Sequence, residues 1–142
     1  NLGRDGSRTP MPWQHATPHG GFSMVPPWLP VPESHRMLAV DRQEADDGSL
    51  LQHTRKMIAL RQGSSALRLG SIDFIETPDP VIGFWRIDQS EAVLCLFNLG
   101  EKPMEIDLPP GLTPLDIGLR YAVKDNQLCL PSFGGIILSK VE

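Results

Sequence analysis

Seven of the fourteen prolines in this chain fall within its first forty residues, together with Trp13, Trp28 and the Gly20-Gly21 pair. Each proline fixes φ and removes a backbone donor, so neither a long helix nor a paired strand can run through such a segment. No helical or strand period survives across residues 1–40. A stretch of that length without periodicity is uncommon inside a compact domain and marks a functional loop, or a piece packed on something else. The prediction is an ordered, extended loop pinned by its tryptophans.

Residues 46–63, DDGSLLQHTRKMIALRQG, carry a different signal. Asp47 or Ser49 can cap a helix and Gly63 can stop it. Leu50, Thr54, Met57, Ile58 and Arg61 recur at i, i+3/i+4 spacing, with His53 and Lys56 nearer the polar side. The spacing predicts an amphipathic helix from about Ser49 to Gln62 that buries one face.

Beyond Leu69 the chain breaks into short runs of β character: SIDFIE, VIGFWRID, AVLCLFNL, MEIDLP, the RYAV region, QLCLP and GGIILSKV. Turn signals at Thr77-Pro78-Asp79-Pro80, Gly100-Glu101-Lys102-Pro103 and Pro109-Pro110-Gly111 separate them. Strands at this spacing predict an antiparallel sandwich or barrel. Its expected core comprises Phe74, Ile82, Phe84, Val93, Cys95, Phe97, Ile106, Leu108, Leu128, Leu130, Ile136 and Leu138. The fold class read from the residues is therefore mainly β, with one or two helices.

Charge and composition remove several functions. The net charge of −4 is spread in mixed signs, with no run of lysine and arginine to neutralise a series of phosphates, so nucleic acid is not an expected partner. No stretch approaches the ~20 apolar residues of a membrane span. Cys95 and Cys129 sit in apolar runs and read as two free thiols rather than a disulfide framework. The four histidines are not spaced as ligands on one helix face, and no metal-binding or nucleotide-binding motif is present, so no metal or cofactor is expected. None of the 17 acidic residues stands in a context that forces its pKa or pairs it with a second carboxylate.

The stretch Gly3-Arg4-Asp5-Gly6-Ser7-Arg8-Thr9-Pro10-Met11-Pro12-Trp13 resembles the signature of bacterial alpha-glucosidases and oligo-1,6-glucosidases of glycoside hydrolase family 13, in the alpha-amylase superfamily. Further matches follow in order: Gly21-Phe22-Ser23, Pro27 to Val31, Ala39-Val40-Asp41 with Gln43, Ser49-Leu50-Leu51, Ile58 to Arg61, Ala66-Leu67 and Gly70. The resemblance is dense over about the first seventy residues and continues beyond them only in pattern.

The resemblance implies that residues 1–68 are the C-terminal end of a catalytic (β/α)8 barrel, comprising a long Pro-rich βα loop and the last helix. Residues 69–142 would form the small antiparallel β-sandwich that follows the barrel. Such barrels carry their sites on the loops at the C-terminal face. The family's retaining mechanism uses three carboxylates that lie upstream of Asn1 in its order, so no catalytic residue is expected in this chain, which reads as a piece of a longer enzyme. Arg4 matches the arginine that reaches subsite −1 and pairs with an upstream aspartate. A planar guanidinium suits that task. Asp5 and Arg8 are expected to hold the loop by salt bridges or backbone hydrogen bonds, and Trp13 and Trp28 to pack it in place.

The implied parent is an exo-acting alpha-glucosidase that removes terminal non-reducing glucose from short alpha-glucosides. The barrel-derived segment is expected to meet the rest of its barrel or to self-associate, and cytoplasm is the default compartment for this branch. Two other readings differ in class: a self-standing β-sandwich that binds carbohydrate or protein, and a piece of a related sucrose isomerase or trehalose-forming enzyme.

Overall fold

The computed structural model describes residues 3–124 and 127–140. The chain divides into two compact units, Asn1–Arg55 and Lys56–Glu142.

The first unit holds 3-10 turns at Arg4–Ser7 and Pro18–Gly21, then α1 (Glu33–Arg36), α2 (Val40–Glu44) and the start of α3 (Leu50–Gly63). The Pro-rich segment is thus a loop punctuated by short helical turns. The prolines explain this: Pro18 opens its turn and Pro32 immediately precedes α1, where a missing N–H costs nothing. The tryptophans do not pin it within this unit, since Trp28 is 95% exposed and Trp13 50%. Gly20 is buried at φ +65°, where a Cβ would stand 3.1 Å from Pro12 Cα, so both backbone sign and space select glycine.

Ser49, not Asp47, caps α3. Its Oγ accepts from the Gln52 amide at 3.2 Å and donates to the Gln43 carbonyl at 2.7 Å. The Gln43 side chain spans the same corner, accepting from the Leu51 amide at 3.1 Å and donating to the Leu38 carbonyl at 2.7 Å. From within α3, Arg55 grips Glu44 at the end of α2 with two bonds of 2.6 Å.

In the second unit, sheet A has strand order β1 (Ser71–Phe74), β2 (Val81–Ile87), β3 (Ala92–Asn98), β8 (Gly135–Lys140), β5 (Leu112–Pro114). Sheet B has order β4 (Met104–Asp107), β7 (Gln127–Leu130), β6 (Ala122–Lys124). All the pairings are antiparallel. Strand β5 was not anticipated, and the Val141 end of the last expected strand lies outside the described residues.

Two cores flank sheet A. On one side Leu94, Leu96, Ile136 and Leu138 meet Leu128 and Leu130 of sheet B. On the other, Val93, Cys95 and Ile137 meet Ala66 of α4 (Ser65–Leu69), with Met57, Leu60 and Leu67 packed around them. Each fully buried Leu or Ile contributes about 1.5–3 kcal/mol relative to exposure. Central strand β3 is covered on both faces, which is why it reads AVLCLFN rather than alternating.

Several expected core positions therefore change. Leu94, Leu96 and Ile137 are buried although they were not anticipated, while Phe74 on edge strand β1 is 70% exposed. The predicted helix face also divides: Met57 and Leu60 join the second core, whereas Leu50 and Ile58 are exposed. That packing places the edge of the second compact unit at Lys56.

Candidate functional site

Arg4 opens the first 3-10 turn, and its carbonyl accepts from Ser7 Oγ at 2.8 Å. The turn closes where the Arg8 amide donates to the Asp5 carbonyl at 3.0 Å. Arg4, Asp5 and Arg8 are exposed. Among the described residues their side chains make no ion pair and no hydrogen bond. The Arg4 guanidinium is left with all its donors to offer.

The loop is held from α1 and α2. Thr9 Oγ1 lies 3.2 Å from His35 Nδ1. The Pro12 and Trp13 carbonyls accept from the Val40 and Asp41 amides at 2.9 and 3.1 Å. The His15 amide donates to both Asp41 carboxylate oxygens at 3.0 Å, and Arg36 Nε and Nη2 donate to the His15 carbonyl at 3.2 and 2.6 Å. His15 Nδ1 sits 3.0 Å from the Arg36 carbonyl oxygen. Sequence reading noticed His15 only as a non-ligand and Asp41 only as a matching position.

Just beyond, the second 3-10 turn folds back, with the Gln14 amide donating to the Gly20 carbonyl at 2.9 Å. Gln14, Thr17, Phe22, Ser23 and Met24 line a crevice of about 390 Å³ there. Thr17 Oγ1 donates to Gln14 Oε1 at 2.7 Å and Ser23 Oγ accepts from the Val25 amide at 3.1 Å, so these polar groups hold the crevice wall.

Two carboxylates do come together, although none was expected to. Asp88 and Glu91 border one crevice, and the Glu91 amide donates to Asp88 Oδ1 at 2.9 Å. Glycoside hydrolysis needs one acid with a raised pKa. Here both are held below the usual carboxylate range. For Asp88 the causes are hydrogen bonds from the Ser65 side chain and the Ser90 backbone. For Glu91 burial pushes upward, but bonds from the Ala66 amide and the Ser64 and Ser65 hydroxyls outweigh it. Glu91 caps α4, while Asp88 closes the turn between β2 and β3. Among the described residues no group of three or more His, Cys, Asp or Glu could hold a metal ion.

Residues 1–70 match the Alpha-amylase family, the alpha amylase catalytic domain. The chain is 42% identical over 134 residues to a probable alpha-glucosidase of Rhizobium meliloti (strain 1021), covering 93% of this chain and 24% of that protein. It is 33% identical over 108 residues to an oligo-1,6-glucosidase of Halalkalibacterium halodurans, covering 75% of this chain and 19% of that one. Among solved structures, an alpha-glucosyl transfer enzyme, XgtA, superposes with a TM-score of 0.84 at 39% identity, over 98% of this chain and 26% of that one. An isomaltulose synthase variant from Erwinia rhapontici NX5, in complex with D-glucose, gives 0.76 at 28% identity, over 98% and 26%. The chain belongs to the alpha-amylase superfamily, among its alpha-glucosidase and oligo-1,6-glucosidase relatives. It spans 19–26% of the length of those relatives.

Proposed function

We propose that this chain is the C-terminal part of a retaining exo-alpha-glucosidase that removes terminal non-reducing glucose from short alpha-linked oligosaccharides. The observation that carries the reading is the Gly3–Trp13 motif, whose Arg4 stands at the surface with an uncommitted guanidinium. In the whole enzyme Arg4 pairs with an upstream aspartate and closes the pocket behind the glucose, which leaves room for one sugar unit beyond the scissile bond. The catalytic carboxylates come from upstream, and this chain alone is inactive.

The rest of the barrel covers the first unit. Met24 is 98% exposed and Trp28 95%, with Val25 and Leu38 also bare, an apolar surface of the kind that finds a partner. Two free thiols suit a reducing compartment, and we place the parent in the cytoplasm.

A second reading, transfer of glucose to a sugar hydroxyl instead of water, is favoured by the likeness to the alpha-glucosyl transfer enzyme. The glycosyl-enzyme intermediate is common to both, and the acceptor alone differs.

The test is p-nitrophenyl alpha-glucoside hydrolysis by the 142-residue chain, by the full-length protein and by its Arg4→Ala variant. The chain is silent, the full-length protein is active, and Arg4→Ala loses on the order of 100-fold in kcat/KM, as expected for a charged bidentate pair. Turnover by the chain alone, or an unaffected Arg4→Ala, overturns the reading. Product analysis with maltose present separates hydrolysis from transfer.

A further inference from the structure

We propose that Asp41 and Arg36 are positioning residues for Arg4, acting through His15 and the backbone of Pro12 and Trp13. The inference rests on the glucosidase reading above and names a determinant outside the motif itself.

The stretch from Thr9 to Trp13 forms no helix or strand, so its conformation must be imposed from elsewhere. That imposition comes from one short segment, residues 35–41. His35 meets Thr9 at the start of the stretch, Arg36 and Asp41 clamp His15 at its end, and the Val40 and Asp41 amides take the two carbonyls between. The bonds at His15 are charge-assisted on both sides, because a carboxylate accepts its N–H while a guanidinium donates to its C=O. Arg4 is coupled to this frame through its own turn: Ser7 returns to the Arg4 carbonyl, the Arg8 amide returns to Asp5, and Thr9 follows directly.

Arg36 keeps its orientation partly through Glu33, 3.8 Å away on the same helix. Asp41 has no comparable substitute. Its two oxygens are the acceptors for the His15 amide, and a neutral, shorter side chain would leave that N–H unpaired and the loop end free. Catalytic geometry tolerates little of this, since a displacement of about 1 Å can cost roughly 100-fold.

The experiment compares Asp41→Ala, Asp41→Asn, Arg4→Ala and the Arg4→Ala/Asp41→Ala double variant in the full-length protein. Asp41→Ala lowers kcat/KM on p-nitrophenyl alpha-glucoside at least tenfold, divided between kcat and KM as Arg4→Ala divides its own loss. Asp41→Asn, which keeps one acceptor for His15, recovers most of it. The double variant is no worse than Arg4→Ala, because Asp41 acts through Arg4. Losses that multiply in the double variant, or wild-type kinetics in Asp41→Ala, overturn the proposal. Amide hydrogen exchange at His15 in the 142-residue chain, faster in Asp41→Ala than in wild type, reads the clamp without any turnover, and Asp41→Leu, which also lacks the acceptor, serves there if Asp41→Ala does not fold. Unchanged exchange sinks this inference alone, whereas an Arg4→Ala variant with full activity sinks the glucosidase reading instead.

Discussion

Glu91, immediately before β3, caps α4 by accepting the Ala66 amide at 3.0 Å, a contact spanning 25 residues of sequence. The same carboxylate oxygen accepts Ser64 Oγ at 2.8 Å and Ser65 Oγ at 3.2 Å. Ser64 caps the helix as well, accepting from the Leu67 amide. The short helix is therefore held at its N-terminus by a residue from the β2–β3 turn of the sheet it packs on.

Replacing Glu91 by Gln is expected to destabilise the second unit by about 1 kcal/mol, the usual scale of a lost cap. Because the Glu91 pKa is lowered in the native state, its contribution is complete above the ordinary carboxylate value and disappears as pH falls through the lowered one. The Tm gap between wild type and Glu91→Gln, followed by circular dichroism, should be constant near neutrality and shrink below about pH 4. A gap independent of pH would show that the charge is not what Glu91 contributes.

Asn98 is 1% exposed and joins three segments. Its Nδ2 donates to the carbonyls of Lys102, Leu130 and Pro131 at 2.7, 3.2 and 3.0 Å, and its Oδ1 accepts the Gly100 amide at 2.9 Å. Asn98→Ala strands buried carbonyls at the turn and should cost on the order of 3 kcal/mol in urea denaturation. Asn98→Asp should do no better, since a carboxylate offers no donor to those carbonyls. Wild-type stability in either variant would contradict the role given to Asn98.

The two thiols should differ in reactivity. Burial pushes Cys95 up to about 11, with Arg86 pulling it weakly back, so it remains protonated and unreactive at pH 8. Cys129 is only half-buried. A thiol-disulfide reagent at pH 8 should titrate one thiol per folded chain, and a second only after denaturant is added. Rapid release of two equivalents from the folded chain would place Cys95 within reach of solvent.

Gly70 links α4 to β1 where an added Cβ would stand 2.6 Å from the Ala66 carbonyl oxygen and 2.6 Å from that of Ile87. Both obstacles are backbone, so neither can swing aside. Gly70→Ala should destabilise by about 2 kcal/mol or more in the same urea assay, from overpacking and not from backbone sign. An unchanged midpoint would mean that the helix and β2 can separate freely.

Elements written in local chemistry were legible in advance. The Ser49–Gly63 stretch announced its helix through a cap, a period and a stop, and most strands were marked by the Pro and Gly turns between them. Helix α4 escaped notice because five residues cannot display a helical period. Strand β5 was missed because Leu112–Pro114 is held by β8, not by any property of its three residues. At the site, the motif around Arg4 was readable as a string, but the residues that hold it were not: Asp41 meets His15 from 26 positions away.

The sequence by itself therefore determined the family, the order of helix and strands, and the arginine that carries the functional hypothesis, because each of these is encoded by neighbouring residues. Tertiary structure alone decided that β3 is buried on both faces, that Glu91 caps a helix, and that Arg36 and Asp41 hold the loop. The physical reason is that burial and hydrogen bonding between distant segments depend on which surfaces meet in space, and no local period or propensity records that.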